Sequence, residues 1–161
     1  MSNASPSALV LGASGTIGGA IAEQLFERGF ALGLHSFQHP EKCPQLGAKA
    51  SQKIELFRAD FRDAAQIEQL AKDFLAAFGR LDALVWAAGI TRDAPVLTQK
   101  DADLREVLAV NLTAPLLLAK HFARTFIKQK SGAAVFVSSH AGLSGREGGA
   151  AYAMAQSGLL A

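Results

Sequence analysis

Three glycines, Gly12, Gly15 and Gly18, stand at spacing three between a short apolar run, Leu9 to Leu11, and a stretch where Ile17, Ile21 and Leu25 repeat every four residues. The chemistry this pattern suits is the binding of a pyrophosphate. An apolar run with a β-branched member reads as a strand, and a four-residue apolar repeat, widened by Ala22 and Phe26, as one face of a helix. Glycine is needed where the backbone takes positive φ or where another group must come close. The first turn of the helix presents unpaired N–H groups and the positive end of its dipole. Strand, glycine turn and helix together seat a nucleotide's phosphates.

The elements around this turn extend the reading. Gly29 ends the first helix and Phe30 to His35 make a second strand. In nucleotide-binding βαβ units the end of this strand meets the adenosine ribose, where an Asp or Glu takes the 2′-OH and favours NAD. Here the strand ends in His35, Ser36 and Phe37, with no carboxylate. That leans towards NADP, whose 2′-phosphate a carboxylate would repel. No Arg stands there, and Ser36, Lys42 and His35 are the groups at hand. His35 and His39 would share a metal only on a helix, which Pro40 argues against, so both read as ordinary residues and no metal site is expected.

Ile54 to Ala59 reads as a third strand, followed by Asp60. Asp63 to Phe78 reads as a helix with Ile67, Leu70, Ala71 and Phe74 on one face, closed by Gly79. Asp82 to Ala87 is an almost wholly apolar fourth strand, as a parallel strand buried on both faces should be, with Ala88 and Gly89 after it. Asp101 to Lys128 reads as one long helical stretch, Ala133 to Val137 as a fifth strand, and Ser138 to Gly149 as a polar, glycine-rich loop. A last helix begins near Ala150 and runs to the chain end. Strands alternating with helices predict an α/β, Rossmann-like, doubly wound parallel sheet of strand order 3-2-1-4-5. The ligand crevice is then expected at the carboxyl ends of strands 1 and 4. Residues 8–161 read as a single domain, after a small, polar, disordered lead-in over 1–7.

Composition narrows the function classes. The chain has 161 residues, half of them apolar, and a net charge of +2 without a basic block, which points away from nucleic acid. One cysteine, Cys43, permits no intrachain disulfide and fits a reducing compartment, so the cytoplasm is expected. Cys43 has only Lys42 as a cationic neighbour in a polar, Pro-flanked loop, a poor setting for a reactive thiol. No apolar run approaches the roughly 18 residues that span a bilayer, so no membrane partner is expected.

Six landmarks occur in order: the glycine turn, Asp60 after strand 3, Ala87-Ala88-Gly89 after strand 4, Asn111 in the long helix, Ser139 after strand 5, and Tyr152 thirteen residues later. In these the chain, from about Ala8 to its end, resembles the short-chain dehydrogenase/reductases. Gly89 to Asp93, GITRD, looks most like the branch of 3-oxoacyl-carrier-protein and acetoacetyl-CoA reductases. The resemblance implies an oxidoreductase using NADP(H) rather than NAD(H). It implies that Gly12, Ser14, Gly15, Thr16, Ile17 and Gly18 hold the pyrophosphate and that Ser36 sits at the ribose. Asp60, with Phe61, would meet the adenine amino group; a helix N-cap is the alternative for Asp60, a role Asp63 equally fills. Ala87, Ala88 and Gly89 would line the cofactor with backbone. Ser139 and Tyr152 would face the carbonyl of a small ketone or 3-oxoacyl thioester, Tyr152 giving its phenolic proton as hydride arrives and Ser139 hydrogen-bonding the same oxygen. Ser138 is the rival for Ser139, and the spacing to Tyr152 prefers Ser139; His140 would border the substrate pocket.

Two departures bear on activity. The family places a Lys four residues after the Tyr, to hold the nicotinamide ribose and stabilise the developing tyrosinate; here that residue is Gln156, which can hydrogen-bond but carries no charge. Asn111, which in the family anchors a water chain to that Lys, loses its partner. The alternative to an active ketoreductase of fatty acid metabolism is thus a nucleotide-binding pseudoenzyme or regulatory subunit. Secondly, the chain stops at Ala161, inside the helix carrying Tyr152, so a sixth and seventh strand are expected to be absent and strand 5 to be an edge. In the family the long helix and the Tyr helix pair in a homodimer, and dimers pair into tetramers; the run Leu116-Leu117-Leu118 fits such a partner.

Overall fold

The computed structural model describes residues 5–47 and 52–161. Five short strands form one sheet: β1 (Ser7–Leu11), β2 (Ala31–His35), β3 (Ile54–Phe57), β4 (Ala83–Trp86) and β5 (Ala133–Phe136). All pairs are parallel and the order is β3-β2-β1-β4-β5, as the alternation of strands and helices required. The central strand β1 is buried throughout, whereas the edge strand β5 is mostly exposed. Ser7 belongs to β1, so the expected lead-in is shorter than 1–7; its residues 1–4 lie outside the described residues.

Helices cover both faces. On one face α1 (Thr16–Glu27) buries Ala22 and Phe26 with Val10, Leu32, Leu34 and Val85. Of the expected stripe Ile21 and Leu25 pack only partly and Ile17 is exposed, because the residues facing the sheet are Gly18, Ala22 and Phe26. On the other face α2 (Ala64–Phe78) packs beside α4 (Ala114–Gln129), placing Ile67, Leu70, Phe74, Leu118 and Phe122 over Leu9, Leu11, Leu84 and Trp86. Asp63 caps α2, its carboxylate accepting from Ala65 N at 2.9 Å, and Gly79 ends it in a left-handed conformation.

The structure corrects two helix expectations. Between β2 and β3 the alternation implies a helix, but the described residues hold only a 3₁₀ turn (Pro40–Lys42); residues 48–51 lie outside them. The long stretch from Asp101 to Lys128 is α3 (Asp101–Leu108), a π-helical turn (Ala109–Thr113) and α4. Pro115 is the physical reason. It has no N–H for the Asn111 carbonyl one turn back, and its ring crowds that carbonyl. The backbone widens instead, Ala114 N bonding to Ala109 O five residues earlier. After α5 (Ala141–Ser144), the last helix, α6 (Ala150–Gly158), packs on α3, α5 and the π turn, and ends before the chain does.

Candidate active site

A groove of about 380 Å³ opens at the carboxyl ends of the strands. Its lining brings together Gly12, Ser14 and Gly15 after β1, Ser36 after β2, Asp60 and Phe61 after β3, and Ala87, Ala88 and Gly89 after β4. Thr16, Ile17 and Gly18 do not line it. Gly18 acts from beneath: a Cβ there would lie 2.3 Å from the Gly12 carbonyl oxygen, so its absence lets α1 start directly under the turn. Gly12 has φ +80°, and a Cβ on it would meet Ala88 Cα at 2.7 Å. This turn thus also lets two backbone segments, the ends of β1 and β4, lie close together. Gly15 is the N-cap of α1; no side chain caps the helix and no acid stands in its first turn. Gly15 N is taken by the Gly12 carbonyl at 3.0 Å, so the unpaired N–H groups are those of the first turn of α1, which follows the lining residue Gly15 with no acid beside it.

Ser36 is buried, its hydroxyl donating to Ser14 Oγ at 3.0 Å and accepting from His39 N at 3.2 Å. Its side chain thus braces the glycine turn against β2. His35, one of the three groups at hand for the phosphate, is closed off from that role and stands as a core residue. Its ring is 2% exposed, stacks on Phe61 at 4.3 Å and bonds Ala59 O through Nε2 at 3.0 Å. Burial pushes its pKa from 6.5 down to about 4. A neutral, enclosed imidazole supplies no cation to a phosphate.

Asp63, and not Asp60, caps α2. Asp60 accepts from the backbone N and side chain of Arg62, whose guanidinium holds the carboxyl below its usual range. Arg62 reaches on to Glu106 at 3.0 Å, and Arg92 meets the same carboxylate at 2.9 Å. Arg62, Arg92 and Glu106 line the groove and were not foreseen. Arg62, two residues after Asp60, was the one local signal; the link to Glu106 spans 44 positions and is visible only in the fold.

None of the four residues expected at the chemical step lines this groove: Asn111 stands in the π turn, Ser139 in the loop after β5, and Tyr152 and Gln156 on α6. Asn111 sits in the π turn with 0% exposure. Its Oδ1 accepts from Ile90 N at 2.8 Å and its Nδ2 donates to Ile90 O at 2.7 Å. It thus clamps the backbone just past Gly89, and Ile90 itself lines the groove. Tyr152, in the first turn of α6, is half-buried against Val107, Ala151 and Ala155, with the Arg146 guanidinium 5.8 Å from its ring. Ser139 Oγ accepts from Ala141 N at 3.2 Å, while Ser138 Oγ donates to the Gln156 carbonyl at 2.9 Å. The two adjacent serines thereby separate: Ser138 ties β5 to the backbone of α6, and Ser139 stays at the loop. Gln156 is 3% exposed, and its Oε1 has no hydrogen-bond partner among the described residues. His140 is exposed and bonds Ser144 through Nδ1.

With this geometry in view, the comparisons agree on ancestry. The family model described as short chain dehydrogenase matches residues 6–161. Nodulation protein G of Rhizobium meliloti (strain 1021) is 37% identical over 153 residues, covering 95% of this chain and 62% of its own length. The 3-oxoacyl-(acyl-carrier-protein) reductase of Synechocystis sp. is 35% identical over 157 residues, covering 95% of this chain and 63% of its own. A metagenomic short-chain oxidoreductase crystallised in complex with NADP superposes with a TM-score of 0.90 at 35% identity, over 98% of this chain and 72% of that one. The chain belongs to the short-chain dehydrogenase family of oxidoreductases. It spans a little over three fifths of the curated relatives it matches. No helix among the described residues is long and apolar enough to cross a membrane.

Proposed function

We propose that this chain acts as an NADP(H)-dependent oxidoreductase that reduces a 3-oxoacyl thioester or similar small ketone by hydride transfer, with Tyr152 as proton donor. The observation that carries the reading is the groove, with its glycine turn, uncapped helix start and carboxylate-free β2 end. Those features fit the cofactor: the diphosphate has N–H donors without a competing acid, and small residues leave room for a flat ligand. Gly12, Gly15 and the start of α1 would hold the diphosphate, Asp60 and Phe61 border the adenine, and Ala87 to Gly89 flank the remainder. The bound nicotinamide supplies a hydride. Tyr152 holds the proton that the ketone oxygen takes, and Ser139 turns its hydroxyl to that oxygen. Asn111 keeps the Ile90 backbone in place beside the reacting centre.

Gln156 favours a second reading. A buried amide with an unpaired oxygen stands where the family has an ammonium, so the charge developing on Tyr152 goes uncompensated. Such a chain would bind nucleotide as a regulatory subunit without turning it over. On either reading we assign the cytoplasm as its compartment, from the free, buried Cys43. We also assign a homodimer or homotetramer through α4 and α6, where Leu116 is 71% and Met154 60% exposed. The test is NADPH oxidation with an acetoacetyl thioester, comparing the chain with Gln156→Lys. Turnover by the parent supports the enzyme. Turnover by the variant alone, or tight binding without turnover in both, supports the second reading. Failure to bind NADPH overturns both.

A further inference from the structure

The end of β2 carries no carboxylate, and the neighbouring strand brings a cation to it. The β2–β3 register pairs His35 with Phe57, so Ser36 and Arg58 follow side by side at the ends of adjacent strands. Phe37, next along and lining the groove, has two guanidiniums near its ring: Arg58 Cζ lies 5.7 Å and Arg62 Cζ 5.6 Å from the centroid. These two are not equivalent. Arg62 is spent on Asp60 and Glu106. Arg58 is exposed and makes no hydrogen bond or ion pair among the described residues; its one partner is the Phe37 ring. The other basic groups nearby are weaker candidates. His35 is buried and neutral, His39 pairs with Glu41 at 3.1 Å, and Lys42 directly follows that same Glu41.

We propose that Arg58, which stands outside the groove's lining against the Phe37 ring that belongs to it, receives the 2′-phosphate of NADP(H) and sets the preference for NADP(H) over NAD(H). This rests on the reading of the groove given above and names the residue that decides its cofactor. A guanidinium offers a planar fork that meets phosphate with two parallel hydrogen bonds, which an ammonium cannot reproduce. The ring holds that fork without neutralising it, which a carboxylate would do.

The experiment is calorimetric titration of NADPH, NADH and 2′,5′-ADP into the chain and into Arg58→Gln, Arg58→Lys and Lys42→Gln. Arg58 is exposed, so the variants are expected to keep the parent's circular dichroism. Arg58→Gln is expected to weaken NADPH and 2′,5′-ADP about ten- to hundredfold, with NADH changed less than about twofold. Arg58→Lys is expected to fall between, and Lys42→Gln to match the parent. Equal losses for NADPH and NADH, no loss for either, or the selective loss appearing in Lys42→Gln would overturn the assignment of Arg58 while leaving the groove intact. A parent chain that binds neither dinucleotide would overturn the groove and this assignment together.

Discussion

Acidification from pH 7 to pH 4 is expected to cost the fold about 3 kcal/mol through His35 alone. The imidazole is enclosed between Phe61 and the Ala59 carbonyl, and its Nδ1 has no partner among the described residues. Burial therefore lowers its pKa from 6.5 to about 4. The unfolded chain takes up this proton near pH 6.5, whereas the folded chain waits until about pH 4. Between those values the unfolded state binds more protons, so stability falls as pH falls. It is fully present above pH 6.5 and fully lost below about pH 4. A tenfold difference in proton affinity is worth about 1.4 kcal/mol, so the gap between the two states amounts to about 3 kcal/mol. The assay is urea unfolding at pH 7, 5.5 and 4 for the chain and for His35→Phe, which keeps a ring on Phe61 but takes no proton. Subtracting one series from the other removes every other titrating group. The variant is expected to gain about 3 kcal/mol on the parent between pH 7 and pH 4. A difference that stays constant with pH would refute the reasoning.

Three further outcomes follow from named contacts. Gly12→Ala combines a positive φ with a backbone collision at Ala88, so it is expected to cost about 3–5 kcal/mol. Gly29→Ala, where an added Cβ meets nothing, is expected to cost only about 1–2 kcal/mol in the same urea series, and equal losses would contradict the collision. Asn111→Ala removes both bonds to Ile90 and is expected to cost about 2–4 kcal/mol, with faster hydrogen exchange at the Ile90 amide. Unchanged exchange there would show that Asn111 does not hold this loop. Asp63→Ala is expected to cost about 1 kcal/mol as a lost cap while leaving NADPH affinity intact, measured by calorimetry.

Much of this was legible in residue pattern because the signals are local. The apolar runs of β1 and β4 and the four-residue stripe of α1 fixed their elements without reference to anything distant. The strand order followed from alternation and the handedness of crossovers. The π turn was missed because a periodic apolar stripe continues through it; Pro115 was the sign, one turn after the carbonyl that it disturbs. The charge chain from Asp60 through Arg62 and Glu106 to Arg92 was not legible, since it joins residues 44 positions apart. His35 shows the same limit from the other side. Its type left a role at the phosphate open, and only the packing of Phe61 against it shows a neutral core residue. At the chemical corner, the type of Gln156 already removed a charge from the expected set. Its burial with an unpaired oxygen came from α6 packing on α3, α5 and the π turn, which no sequence pattern announces.

The central claim is that the groove at the ends of β1, β2 and β4 seats a dinucleotide on the glycine turn. The most direct measurement is calorimetric titration of NADPH into the chain and into Gly15→Val. Gly15 has φ −87° and ψ 161°, a conformation open to valine. An added Cβ comes 3.3 Å from the Gly12 carbonyl oxygen, a tight contact that a backbone shift of a few tenths of an ångström relieves, so the variant fills the seat at a small cost to the fold. The account predicts one NADPH per chain for the parent and loss of at least about tenfold in affinity for the variant, with melting temperatures of the two unliganded proteins within a few degrees. Equal binding by both would place the dinucleotide elsewhere and contradict the account.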